Sequence, residues 1–211
     1  MALIIDKKIV DIQQPNISDV NILMQNHSGK FFGLIEEQLK LIVFNWDDFR
    51  EIISIQDAIY IMAFYRATVW NDVPIYTDTD TKQEILPSEM IKKTYNELQE
   101  SFLISGEVFT NKIPLKSAIE AERKAIEEGN LNLFGDYILG AGCKKGTSIG
   151  IDTILSLKSN PIGRGVYHAY AQSVSDYSPI CITLNTDNKR PIGIIADNKE
   201  FPFQPSLLFS I

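Results

Sequence analysis

With 211 residues, 45% hydrophobic and 22% charged, the chain has globular composition with enough length for a sizeable core, which argues against long disorder. Its formal charge of −7, from 27 acidic and 20 basic side chains, comes with no Lys/Arg run longer than two, so a phosphate-binding patch for nucleic acid or an anionic membrane is disfavoured. No uncharged apolar run reaches the ~18 residues needed to cross a bilayer, and Met1 to Asp6 is too short for a signal peptide, so the expected setting is cytoplasmic, without membrane insertion.

Taken in order, the chain first reads as short strands. These are Leu3 to Ile5, Ile9 to Ile12, Lys30 to Ile35 and Leu39 to Asn45, the last because Leu39, Leu41 and Val43 alternate with Lys40, Ile42 and Phe44. From Asp47 the texture becomes helical. Ser54 can cap a helix near 54–68, with Asp57 in its first turn and Ile55, Ala58, Ile59, Met62 and Ala63 at helical spacing. A second helix is expected near 88–102, with Ile91, Tyr95, Leu98 and Phe102 on one stripe. A third spans 117–128, where Ser117 and Glu120 have capping-box spacing and Gly129 suits the C′ position. Ile119 and Ile126 would form its narrow packing face.

After Leu131 glycine, proline and β-branched residues dominate. Ile149, Ile151, Thr153, Leu155 and Leu157 alternate like a strand, and Asn160 to Gly165 reads as a turn. Further strands are expected at Val166 to Val174, Ile180 to Leu184, Ile192 to Ala196 and Leu207 to Phe209. The predicted fold class is α+β: N-terminal strands and a helical middle in region 1–130, then a C-terminal antiparallel meander in a β-rich region, 131–211.

Seven of the twelve glycines fall between Gly135 and Gly165, so backbone freedom is concentrated around the loop 140–150. Within it, Gly146-Thr147-Ser148-Ile149-Gly150 matches G-x-S-x-G, the turn that lifts a nucleophilic serine in α/β-hydrolases. The surroundings disagree with that motif. Polar Cys143, Lys144 and Lys145 stand where a buried strand should arrive, and His168 is the one histidine downstream, with Asp152 the sole acid between. Ser148 with His168 is therefore the alternative catalytic pair, and Gly142, Gly146 and Gly150 the alternative ligand-cradling glycines; the favoured reading assigns neither a catalytic residue nor a cofactor. The loop is neither a Walker A loop nor G-x-G-x-x-G. Lys145 to Gly150 and Asn188 to Phe201 resemble the acyl-CoA loop and late helix of GNAT acetyltransferases, although the Q/R-x-x-G-x-G/A signature is missing and Pro191 interrupts the second segment. That resemblance implies acyl transfer as the alternative function.

His27 and His168 lack metal-ligand spacing, and no metal site is expected. Cys143 and Cys181 lack zinc or redox spacing and are expected to be buried free thiols in a reducing compartment, with a disulfide between them as the alternative. Adjacent acids such as Glu36-Glu37 diverge on any regular element and read as solvated charge. Trp70 and Tyr60, Tyr65 and Tyr76 fit core packing or interface anchoring better than a ligand shelf. The closing segment is the strongest positive signal: Phe203, Leu207, Leu208, Phe209 and Ile211 predict an apolar contact surface for protein partners or self-association. The run Asp57 to Arg66 within Ile52 to Ile75, together with the closing strands, resembles baseplate hub and tail-assembly proteins of contractile-tailed phages. The expectation is thus a non-catalytic structural subunit of a larger assembly, with a virion location if that resemblance holds.

Overall fold

The computed structural model describes residues 2–5, 8–16, 18–19, 21, 31–74, 76–77, 84–88, 101–104, 107–110, 112–130, 133–144, 147–176, 180–182, 192–196 and 199–202. The fold is α+β, and the chain divides into two compact units. Unit 1 comprises Met1–Ile53, Asp57–Lys93 and Gln204–Ile211; unit 2 comprises Ser54–Gln56 and Thr94–Phe203.

In unit 1, β1 (Ala2–Ile5) and β2 (Lys8–Asp11) form an antiparallel hairpin with Leu3 opposite Val10. The next element is a helix, α1 (Phe32–Ile42), where strands were expected at Lys30 to Ile35 and Leu39 to Asn45. The reason lies in the longer window. Phe32, Ile35, Leu39 and Ile42 recur at the three- and four-residue spacing of one helix face, and all four are fully buried. The alternation from Leu39 to Phe44 is a six-residue coincidence inside that longer period. Glu36 and Glu37 lie on the outer face and both pair with Lys40, as solvated charge.

The outer edge of β2 is closed by the segment just after α1. Ile12 bridges Val43, and the Phe44 N–H donates to Asp11 O at 2.8 Å. The Asn45 side chain then works as a short strand: Asp11 N–H donates to its Oδ1 and its Nδ2 donates to Ile9 O, both at 3.0 Å.

Helix α2 (Ile55–Val69) matches the expected helix near 54–68. Between Ile55 and Ala63 every residue except Tyr60 is buried, the polar Gln56 and Asp57 included, so this part of the helix is enclosed nearly all round. Its end is tied to the following loop inside unit 1. The buried Arg66 donates from Nε to Val73 O and from a terminal nitrogen to Pro74 O, each at 3.0 Å, and its guanidinium lies 5.5 Å from the Trp70 ring centre. Tyr65 meets Trp70 edge to face, so these aromatic groups pack structure. Asn71 and Asp72 take left-handed φ of 52° and 58°, the region short polar side chains tolerate best. Asp72 accepts from both the backbone N–H and hydroxyl of Ser88. Strands β3 (Tyr76–Thr77) and β4 (Glu84–Ile85) pair antiparallel. Of the helix expected near 88–102, Ile91, Tyr95 and Leu98 lie outside the described residues, whereas Phe102 belongs to a strand.

Unit 2 contains a four-stranded antiparallel sheet, β5 (Ser101–Ile104), β6 (Glu107–Thr110), β7 (Cys143–Lys144) and β8 (Thr147–Ser148), in that spatial order. Helix α3 (Leu115–Glu127) starts two residues before Ser117, so the expected capping box is not its start. Its buried residues are Leu115, Ala118, Ala121, Glu122 and Ala125 rather than Ile119 and Ile126, because alanines let a neighbouring element approach closely. The end is as anticipated. Gly129 has φ 67°, its N–H reaches Ile126 O, and the Asn130 N–H reaches Ala125 O, the paired bonds of a Schellman motif.

Helices α4 (Phe134–Gly140), α5 (Ile151–Ser159) and α6 (Pro161–Asp176) follow, and α5 and α6 stand where strands were expected at Ile149 to Leu157 and Val166 to Val174. At α5, Gly150 is the N-cap, and Ile149 and Ile154 hold the N′ and N4 positions of a hydrophobic staple, both buried. At α6, the stretch expected to be a turn is a helix start: Asn160 Oδ1 accepts the Ile162 N–H at 3.0 Å as an N-cap, and Pro161 takes the first helical position. The residues read as a strand from Val166 to Val174 bury Tyr167, Tyr170, Ala171 and Val174, a helical stripe. Strands β9 (Ile180–Ile182), β10 (Ile192–Ala196) and β11 (Lys199–Pro202) form an antiparallel sheet ordered β11-β10-β9. The strand expected at Leu207 to Phe209 lies outside the described residues.

Candidate functional site around the 140–150 loop

The loop 140–150 joins α4 to α5 through the β7–β8 hairpin. Its ladder places Cys143 opposite Ser148, then continues outward as Ile149 N–H to Gly142 O at 3.0 Å and Gly150 N–H to Gly140 O at 2.9 Å. Backbone therefore lies on backbone at the two ends of the loop. A Cβ on Gly140 would sit 2.9 Å from the Ile151 nitrogen, and one on Gly142 would sit 1.9 Å from the Tyr170 hydroxyl oxygen. That hydroxyl donates to Leu139 O at 3.3 Å, and burial, aided by nearby Cys143, pushes the Tyr170 phenol well above its ordinary value. Gly150 takes φ 79° and ψ 151°, a region essentially reserved for glycine. Of the three alternative cradle glycines, Gly142 and Gly150 are thus needed by packing and backbone geometry, and Gly146 lies outside the described residues.

Ser148 ends β8 and is exposed, with its hydroxyl donating to Gly140 O at 3.2 Å. The helix begins three residues later, at Ile151, and the strand before it is one arm of a two-residue antiparallel hairpin. A hydrolase elbow instead needs a serine at the end of a buried parallel strand. His168 is an exposed residue of α6 whose ring meets that of Tyr167. The Ser148 hydroxyl is engaged by the Gly140 carbonyl, and His168 is not among the residues lining the groove that Ser148 borders.

The loop does border a groove of about 380 Å³ within unit 2. Helix α3 lines it through Lys116, Ser117, Glu120, Ala121 and Lys124, α4 through Tyr137 and Gly140 with the C-cap Ala141, and Ser148, Gly150 and Ile151 complete the lining. The Glu120 carboxylate of α3 is matched. Arg123 grips both Glu120 oxygens, at 3.0 and 2.6 Å, and reaches Glu127 at 2.6 Å; its hydrogen bonds hold the Glu120 carboxyl below its usual range. The Tyr137 hydroxyl donates to Glu128, and that bond raises the phenol's pKa.

Behind the groove lies a polar cluster that the sequence reading missed. Asp136, 2% exposed, accepts from Lys158 Nζ and from the Tyr167 hydroxyl, both at 2.8 Å. Lys158 also sits 5.6 Å from the centre of the Tyr167 ring, so one carboxylate links α4, α5 and α6. Burial and then the hydrogen bond to Asp136 push the Tyr167 phenol well above its ordinary value. A signal existed: Asp136 is the lone charge between Phe134 and Leu139, and a carboxylate inside an apolar helix needs partners.

Among the described residues no group of three or more His, Cys, Asp or Glu is placed to hold a metal, and no helix is long and apolar enough to cross a membrane. Cys143 forms no disulfide. Phe203, Leu207, Leu208, Phe209 and Ile211, the expected contact surface, lie outside the described residues. A second apolar surface went unread in the sequence. Phe44 is 76% and Ile9 59% exposed; on the β2 edge of unit 1 the Ile9 carbonyl accepts from Asn45 Nδ2 and the Phe44 N–H donates to Asp11 O. No protein-family model, curated protein or solved structure matches this chain.

Proposed function

We propose that the chain is a non-catalytic interaction subunit of a larger protein assembly. The observation that carries this reading is the Ile9–Phe44 surface. Two large apolar side chains are held in water on a hydrogen-bonded edge, a cost that binding a partner would relieve. The apolar run Phe203 to Ile211 supports a second contact, and the likeness of Ile52 to Ile75 to phage baseplate proteins favours a virion tail component as the class of assembly. In sedimentation velocity, wild-type protein should associate as its concentration rises, or bind its neighbour in the assembly, while Ile9→Ser/Phe44→Ser should stay monomeric with an unchanged circular dichroism spectrum. Identical behaviour of the two proteins overturns this reading of the surface.

A second reading, acyl transfer, is favoured by one observation: exposed Ser148 borders the groove. Under it, Ser148→Ala lowers turnover of a p-nitrophenyl ester or of acetyl-CoA by at least about 100-fold, the scale of losing a nucleophile. Equal rates for wild type and variant end that reading.

A further inference from the structure

We draw no further inference here: the strongest candidate, the groove between α3 and the start of α5, offers a ligand only the N-terminus of a nine-residue helix and two surface lysines, and among the described residues no bound ion or buried unpaired group marks what would occupy it.

Discussion

Among the described residues each unit buries two charged side chains, Asp57 and Arg66 in unit 1 and Glu122 and Asp136 in unit 2, and Arg66 and Asp136 are satisfied by different chemistry. In unit 1 the Arg66 guanidinium donates to the carbonyls of Val73 and Pro74, seven and eight residues along the chain. In unit 2 the Asp136 carboxylate is met by side chains 22 and 31 residues away, on two other helices. A cation satisfied by nearby carbonyls stiffens one loop. An anion satisfied by distant side chains ties three helices together. The reach of a buried charge thus follows from where its partners sit in sequence, more than from the charge itself.

That contrast can be broken by substitution. Asp136→Ala should have the largest effect, because it strands Lys158 and the Tyr167 hydroxyl together; the expected loss is about 3 kcal/mol in urea unfolding, the lower end for a broken buried pair since Lys158 is partly solvated. Hydrogen exchange should accelerate across α4, α5 and α6 alike. Arg66→Met should cost less, about 2 kcal/mol, mainly from two carbonyls left without donors. Its exchange signature should stay within 66–74. Acceleration spreading through unit 1, or a stability loss exceeding that of Asp136→Ala, would refute the local-versus-distant distinction.

The smallest effect concerns alkaline pH. The folded protein holds the Tyr167 proton more tightly than the unfolded chain does, whose phenols titrate near about 10. The stabilisation from this group is therefore complete below that pH and is lost as pH rises through the higher folded-state value. Tyr170 adds a loss of the same sign, because burial raises its phenol too. Tyr167→Phe should lower stability at neutral pH by about 1 kcal/mol, the scale of one hydrogen bond, and flatten part of the alkaline decline. An alkaline limb unaffected by the substitution would mean that Tyr167 does not contribute to it.

The extent to which the fold could be read from residues varied with the length of the pattern. Helix α2 was legible because its apolar spacing persists over more than three turns, and Gly129 because a C′ glycine has a steric reason to be there. Helix α1 was obscured by six alternating residues, and α6 by Asn160-Pro161, whose composition suits a turn as well as an N-cap and first helical position. At the candidate site the sequence marked the right loop for an incomplete reason. Its glycines are concentrated there, and Gly140 and Gly142 answer to neighbouring backbone and to Tyr170 rather than to a bound ligand.

By itself the sequence determined the mixed α+β class, the position of α2, the Schellman end of α3 and the solvated Glu36–Glu37 pair, because each depends on residues within a few positions of one another. Tertiary structure alone decided that Asp136 has partners on two other helices and that Ile9 and Phe44 share one edge, and it favoured helix over strand at 151–159 and 161–176 beyond what their local caps specify. Those outcomes depend on groups many residues apart, so packing selects between local conformations that propensity leaves nearly equal.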